Sequence, residues 1–91
     1  MVWQIEFTET SVKQLKKMDR TVAKRIVEFM KIRIAAQQDP RLSGKALQGK
    51  SFGTYWRYRV GDYRIICDIQ DQKLIVLVVE VGHRKDVYSG Q

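Results

Sequence analysis

Cysteine, histidine and proline each occur once in this chain of 91 residues. A single thiol excludes an internal disulfide framework and a thiolate metal cluster. A single histidine, His83, with no paired carboxylates at ligand spacing, excludes the usual metal sites, so no metal is expected. Long apolar runs are missing as well. No stretch approaches the roughly 20 residues that span a bilayer, and no signal peptide opens the chain. A reducing cytoplasm, with no membrane partner, is the expected setting. Gly44 and Gly49 lack the spacing of a phosphate loop and its Lys-Ser/Thr pair. Ser11, Ser43, Ser51 and Ser89 sit in no nucleophile elbow. No cofactor is implied.

Positive charge is plentiful. Seventeen Lys and Arg stand against ten Asp and Glu, a net +7. The excess is uneven: residues 41–67 carry +5, residues 1–40 carry +3, and residues 68–91 carry −1. Such a concentration suits a nucleic acid or another polyanion. With 44% apolar residues the chain can bury one modest core, and its length fits one domain.

Val2–Phe7 alternates, with Trp3, Ile5 and Phe7 on one face, as in a half-buried strand. Thr8 or Thr10 can cap the helix that follows, whose apolar stripe is Val12, Leu15 and Met18. Asp19-Arg20-Thr21 interrupts it and caps a second helix. Val22, Ala23, Ile26, Val27, Met30 and Ile34 recur at helical spacing through about Gln37. So short a link makes an antiparallel helix pair. Pro40 ends it, because Asp39 is pushed out of the helical region. Residues 41–53 read as a loop, pinned by Leu42, Leu47 and Phe52.

The stretch Gly53–Tyr88 then organises the chain. Valine, isoleucine and aromatics dominate it, which predicts strands up to Val60, from Tyr63 to Ile69, and over about Leu74–Val81. Gln70–Lys73 is a turn. Gly61-Asp62 suits a two-residue hairpin turn with glycine first. That turn sets Arg59 opposite Arg64, Tyr58 opposite Ile65 and Arg57 opposite Ile66. Arg57, Arg59 and Arg64 then share one face, with Asp68 the carboxylate beside them. Trp56, Tyr58, Val60, Tyr63, Ile65 and Cys67 share the other. Cys67 is expected to be an inert, buried thiol. The architecture is α+β: an N-terminal strand, a two-helix hairpin and a three-stranded antiparallel meander (β-α-α-β-β-β), with the first strand beside the later ones.

Facing like charges destabilise a sheet. Three guanidiniums on one surface therefore suggest a docked polyanion. Arg57, Arg59, Arg64 and Arg84 are permanently charged forks that match phosphate oxygens. Tyr88 can stack on a base, and His83 can move a proton near neutral pH. Such a set suits metal-free RNA cleavage, in which a 2′-hydroxyl attacks its own phosphate and the protein stabilises the developing charge. An ordinary solvated basic face is the bland alternative.

The segments LQGKSFGTYWRYRVGDYRIICDI and VEVGHRKDVY resemble the C-terminal half of the RelE toxins of bacterial and archaeal toxin–antitoxin pairs. The YRVGDYRIIC hairpin and the VGHRKDVY ending are its specific parts, and the N-terminal strand and helix pair match in order. The resemblance implies a ribosome-dependent endoribonuclease that cuts mRNA in the A site, leaving a 2′,3′-cyclic phosphate and a 5′-hydroxyl. It implies that Arg57 and Arg59 act on the scissile region, that Arg64 and Arg84 support the transition state, and that Tyr88 stacks on an mRNA base. Some relatives carry lysine at the positions of Arg57 and Arg59. Arginine is a poor general base, which makes His83 the candidate for proton transfer. Lys45, Lys50 and Lys85 are expected to steer RNA or ribosome. The implied partners are the 70S ribosome, mRNA and a RelB-like antitoxin, through which the complex would bind operator DNA. Two alternatives are a ParE-like gyrase poison of the same fold, without nuclease activity, and a general RNA-binding domain.

Overall fold

The computed structural model describes residues 3–47 and 55–83. It begins with β1, Gln4–Phe7, and two helices, α1 (Glu9–Lys17) and α2 (Arg20–Glu28). Four strands follow: β2 (Lys45–Ala46), β3 (Tyr55–Val60), β4 (Tyr63–Gln70) and β5 (Ile75–His83). One sheet takes all five in the order β1-β5-β4-β3-β2. β1 runs parallel to β5, and the remaining pairs are antiparallel. The α+β order read from the sequence is thus observed, with β1 seated beside β5.

The local chemistry explains the boundaries. Thr8 caps α1 by accepting from the Ser11 N–H at 3.1 Å, and its hydroxyl donates to the Val79 carbonyl. Asp19 caps α2 by accepting from the Thr21 N–H. α2 does not run on as one regular helix to Gln37. Over Phe29–Ile34 it widens, and the Ala35 N–H donates to the Met30 carbonyl five residues back at 3.0 Å. The widened turn keeps Ile26, Met30 and Ile34 fully buried. In α1 the stripe is shifted from the expected one. Ser11 is buried and Leu15 and Met18 pack on the core, whereas Val12 is exposed.

The core lies between the helices and one sheet face. Ile26, Met30 and Ile34 meet Tyr58, Ile65, Cys67, Ile69, Val76, Val78 and Val81, with Trp3 sealing one end. Trp3 donates from its backbone N–H to the Ala35 carbonyl and from Nε1 to the Gln38 carbonyl, both at 3.0 Å. β5 is central and begins at Ile75. Leu74, expected in this strand, instead adopts a left-handed conformation (φ 56°) that closes the turn after β4.

The segment read as a loop is partly ordered by hydrogen bonds, and of its expected pins Leu47 is half-buried. Leu42 is 72% exposed and pins nothing. Phe52 lies outside the described residues. Instead, Tyr58 donates its buried hydroxyl to the Pro40 carbonyl at 2.7 Å, and Trp56 Nε1 donates to the Ser43 carbonyl at 2.6 Å. Arg41 forks onto Asp71 at 2.8 and 2.9 Å, tying the segment to the β4–β5 turn. This contact holds the Asp71 carboxyl below its ordinary value of 3.8, chiefly through the hydrogen bonds from Arg41. Lys45 belongs to β2, opposite Arg57, rather than to a loop.

Gly44 makes that pairing possible. It has φ +79°, and a Cβ there would lie 2.3 Å from the Arg57 carbonyl oxygen. That contact is with backbone, which cannot step aside. Gly44→Ala is expected to cost about 1–3 kcal/mol in a denaturant titration. A smaller, pH-dependent loss is expected for Asp71→Asn. A depressed carboxyl stabilises above its unfolded value and stops doing so as pH falls through the folded value. The pair is substantially exposed, so solvent screening limits the loss to about 0.5–1 kcal/mol at pH 7. Unfolding curves should converge with wild type at pH well below 3.8.

Candidate nucleic-acid interface

Gly61 and Asp62 form the hairpin turn, with a positive φ of 59° at Gly61 and none at Asp62. The β3–β4 register is the expected one: Arg59 faces Arg64, Tyr58 faces Ile65, and Arg57 faces Ile66. Tyr58, Ile65 and Cys67 belong to the core cluster. By alternation, Arg57, Arg59, Arg64 and Ile66 therefore lie on the sheet face away from the helices. Lys45 joins them, because it pairs with Arg57. Arg59 is exposed, while Arg57 and Arg64 are half-buried. The Nε and Nη1 atoms of Arg64 are shielded from solvent.

Asp68 shares this face, and so does Glu6 of β1, which pairs with Leu77. Asp68 lies opposite Tyr55 and Leu77, and it accepts from Gln70 Nε2 at 3.2 Å. Ion pairs join Lys13 to Glu9 and Arg41 to Asp71, and Arg57 and Arg64 each have a partner of their own. One carboxylate was missed by sequence reading. A bulge between Ile66 and Cys67 pairs Ile66 with Glu80 and Cys67 with Val78. Val79 is the extra residue, and Glu80 turns onto the arginine face. Since Arg64 pairs with Gly82, Glu80 stands diagonal to Arg64, within reach of long side chains. No strand pattern announces a bulge, so nothing in the sequence assigned Glu80 a side.

His83 requires the opposite correction. It ends β5 and pairs with Tyr63, whose parity is that of the core face. The two rings meet edge to face, with centroids 5.6 Å apart. By register His83 is on the helix side, in an open groove of about 400 Å³ that Lys17, Asp19 and Glu80 also line. It belongs to a strand, as does Gly82, rather than to a tail after one. Lys50, Arg84, Lys85 and Tyr88 lie outside the described residues.

Other reactive groups are committed elsewhere. Tyr58 is buried, and burial raises its phenol well above its ordinary range. Burial likewise raises the Cys67 thiol, which is fully enclosed. Among the described residues no cluster of three or more His, Cys, Asp or Glu has the arrangement of a metal site. No described helix is long and apolar enough to cross a membrane.

The protein is thus a small α+β unit whose sheet carries its core on one face and Arg57, Arg59 and Arg64 on the other. Comparison with known proteins narrows the class. Residues 5–88 match the family model of the ParE toxin of the type II toxin–antitoxin system, parDE. The chain belongs to this family: it is a toxin of the RelE/ParE superfamily of type II toxin–antitoxin systems. It is 31% identical over 88 residues to the toxin RelG of Mycobacterium tuberculosis, covering 97% of this chain and 98% of that one. It is 28% identical over 91 residues to the mRNA interferase toxin RelE of Escherichia coli, covering 98% and 93%. Its structure is similar to a chain of the toxin–antitoxin complex RelBE2 from Mycobacterium tuberculosis, with a TM-score of 0.82, 28% identity and coverage of 94% and 95%. A chain of the RelB-RelE complex from Methanococcus jannaschii gives 0.65 and 27%, with coverage of 94% and 98%.

An enclosed thiol held in its protonated form reacts only through unfolding. Cys67 in the native protein is expected to react with Ellman's reagent at least about a hundredfold more slowly than in denaturant. Fast labelling of native protein would contradict the burial described here.

Proposed function

We propose that this toxin is a metal-independent endoribonuclease that cuts mRNA in the ribosomal A site. The observation that carries the proposal is the pairing of Arg59 with Arg64 on the sheet face opposite the described helices. Facing like charges repel, and a phosphodiester bound between the two forks would offset that repulsion. The name of the similar Escherichia coli toxin, an mRNA interferase, points the same way.

In this reading the 2′-oxygen attacks the adjacent phosphorus in line. A 2′,3′-cyclic phosphate forms, and the 5′-oxygen of the next nucleotide leaves. Arg57 and Arg59 hold the scissile region. Arg64 meets the charge that develops on the phosphoryl oxygens. Two of its guanidinium nitrogens, Nε and Nη1, are shielded from water, where a charge interaction is stronger. Arg84 is proposed to assist Arg64, and Tyr88 to stack on a base. Lys45, Lys50 and Lys85 contact RNA or ribosome. For the proton of the 2′-hydroxyl we favour Glu80, the carboxylate diagonal to Arg64, over His83, which register places on the opposite face. Arginine does not release a proton at neutral pH, so a carboxylate is the better acceptor. The toxin is proposed to act in the cytoplasm. A RelB-like antitoxin would hold it inactive and carry the complex to operator DNA; similar chains are found in complexes with RelB.

The matched family model favours one second reading, a gyrase poison that docks on protein and needs no catalytic set. The products separate the two: cut mRNA in one case, double-strand DNA breaks in the other.

Primer extension on mRNA from expressing cells is the test. Arg59→Ala, Arg64→Lys and Arg84→Ala should lose cleavage and growth arrest, by about 100-fold or more in rate, with melting temperatures near wild type. Glu80→Gln should slow cleavage by about 10²–10⁴. His83→Asn should stay within about threefold of wild type. Full toxicity in folded Arg59→Ala, or no cut mRNA from the wild type, would overturn the proposal.

A further inference from the structure

The arginine face does not stop at the sheet. It turns around the outer edge of β3 into an open groove of about 430 Å³. Arg33, Lys45, Arg57 and Arg59 line it, beside Phe29 and Tyr58. Four cations come from three separate elements, and among the described residues no carboxylate lines the groove. Arg33 was not singled out by its sequence context, because on a helical pattern it reads as one more solvated charge.

Three features build this concavity. The widened turn after α2 carries Phe29 and Arg33 at a spacing of four, so both emerge on one side. Phe29 packs edge-on against Tyr58, with centroids 6.0 Å apart, which fixes that turn relative to β3. Gly44 brings its chain against β3, and β2 begins at Lys45, leaving the edge of β3 beyond Arg57 open. The Leu47 N–H donates to the Tyr55 carbonyl. Alternation therefore turns the backbone N–H of Arg59 toward the same open edge, as a further donor.

We propose that this groove is a second phosphate seat, in which Arg33 and Lys45 hold the RNA backbone at least one nucleotide away from the cleaved bond. The inference rests on the nuclease reading for the identity of its occupant. It concerns binding, however, and can fail or stand separately. Phosphodiester fits better than an acidic peptide because the cations are spaced along a groove continuous with the arginine face, and an extended strand crossing that face must leave over this edge. In this role Arg33 is a positioning residue: it orients the strand and touches no reacting atom.

The test measures binding of a 2′-O-methylated 12-nucleotide RNA, which cannot be cut, by fluorescence anisotropy against salt. Wild type, Arg33→Ala, Arg33→Lys and Arg33→Glu are compared. Arg33 is exposed, so these variants should fold, as thermal melts would verify. Arg33→Ala should weaken binding by roughly three- to tenfold for any sequence and lower the salt slope by about one phosphate contact. Arg33→Lys should restore most of the affinity, and Arg33→Glu should lose more. In cleavage assays, Arg33→Ala should raise KM with kcat nearly unchanged.

A parallel titration on vacant 70S ribosomes distinguishes messenger from ribosomal RNA. A loss confined to the vacant ribosome would assign Arg33 to ribosomal RNA and overturn the seat for the cleaved strand. Wild-type protein that binds the 12-mer through Arg33 but cuts nothing would sink the nuclease reading and leave the seat standing. Equal binding by wild type and Arg33→Glu in both titrations would overturn the proposal. So would an effect of Arg33→Glu seen only with a poly-glutamate peptide, or no RNA binding by the wild type in 50 mM salt.

Discussion

Everything that gives this molecule a functional face follows from one two-residue turn. A side-chain period of two means that a slip of a single residue between β3 and β4 would exchange the faces completely. Tyr58, Ile65 and Cys67 would move to solvent, and the arginines would enter the core. Gly61 prevents this by taking a positive φ that other residues adopt at a cost. Core burial prevents it too: Tyr58 is 1% exposed, and Ile65 and Cys67 are wholly enclosed. Turn and core agree, so the hairpin can hold Arg59 against Arg64 despite their repulsion.

The helices follow from the same division. Because β3–β5 offer one apolar face, the pair α1–α2 packs there, and no described helix packs on the other. Tyr58 links the core to the functional edge. Its ring packs beneath Phe29 and its hydroxyl reaches the Pro40 carbonyl, so core side chains also fix the chain that enters β2. Lys45 and the groove are thereby positioned by buried contacts. Positioning from a packed interior suits a site whose contribution is the placing of charge, since catalytic electrostatics gain from groups that need not move.

Much of this was legible in the residues. Alternation in Trp3–Phe7, threonine and aspartate caps, and a glycine-first turn each carry a local physical cause, and each appears where expected. The features that were not legible depend on distant geometry. The bulge that turns Glu80 toward the arginines changes parity without a residue type to mark it. Leu74 adopts a left-handed conformation where glycine or asparagine would have advertised a turn. His83 looked catalytic by type, and its parity became readable only once β5 was seen to extend through it. The short strand at Lys45 depends on Gly44, one of several glycines in a stretch that reads as loop.

The bulge and the histidine together bear on how the chemistry is divided. The sheet places guanidiniums on one face and His83 on the other. In the proposed reaction the group beside the phosphate is then a carboxylate, Glu80, one strand over from Arg64. As diagonal neighbours, arginine and carboxylate can offset part of the repulsion on this face in the absence of substrate. When a phosphodiester enters, the guanidiniums acquire a stronger partner and the carboxylate is left to accept a proton. The same residue would then serve the fold and the reaction at different times. That economy is available only because a single inserted residue, Val79, rotates β5 between its two halves.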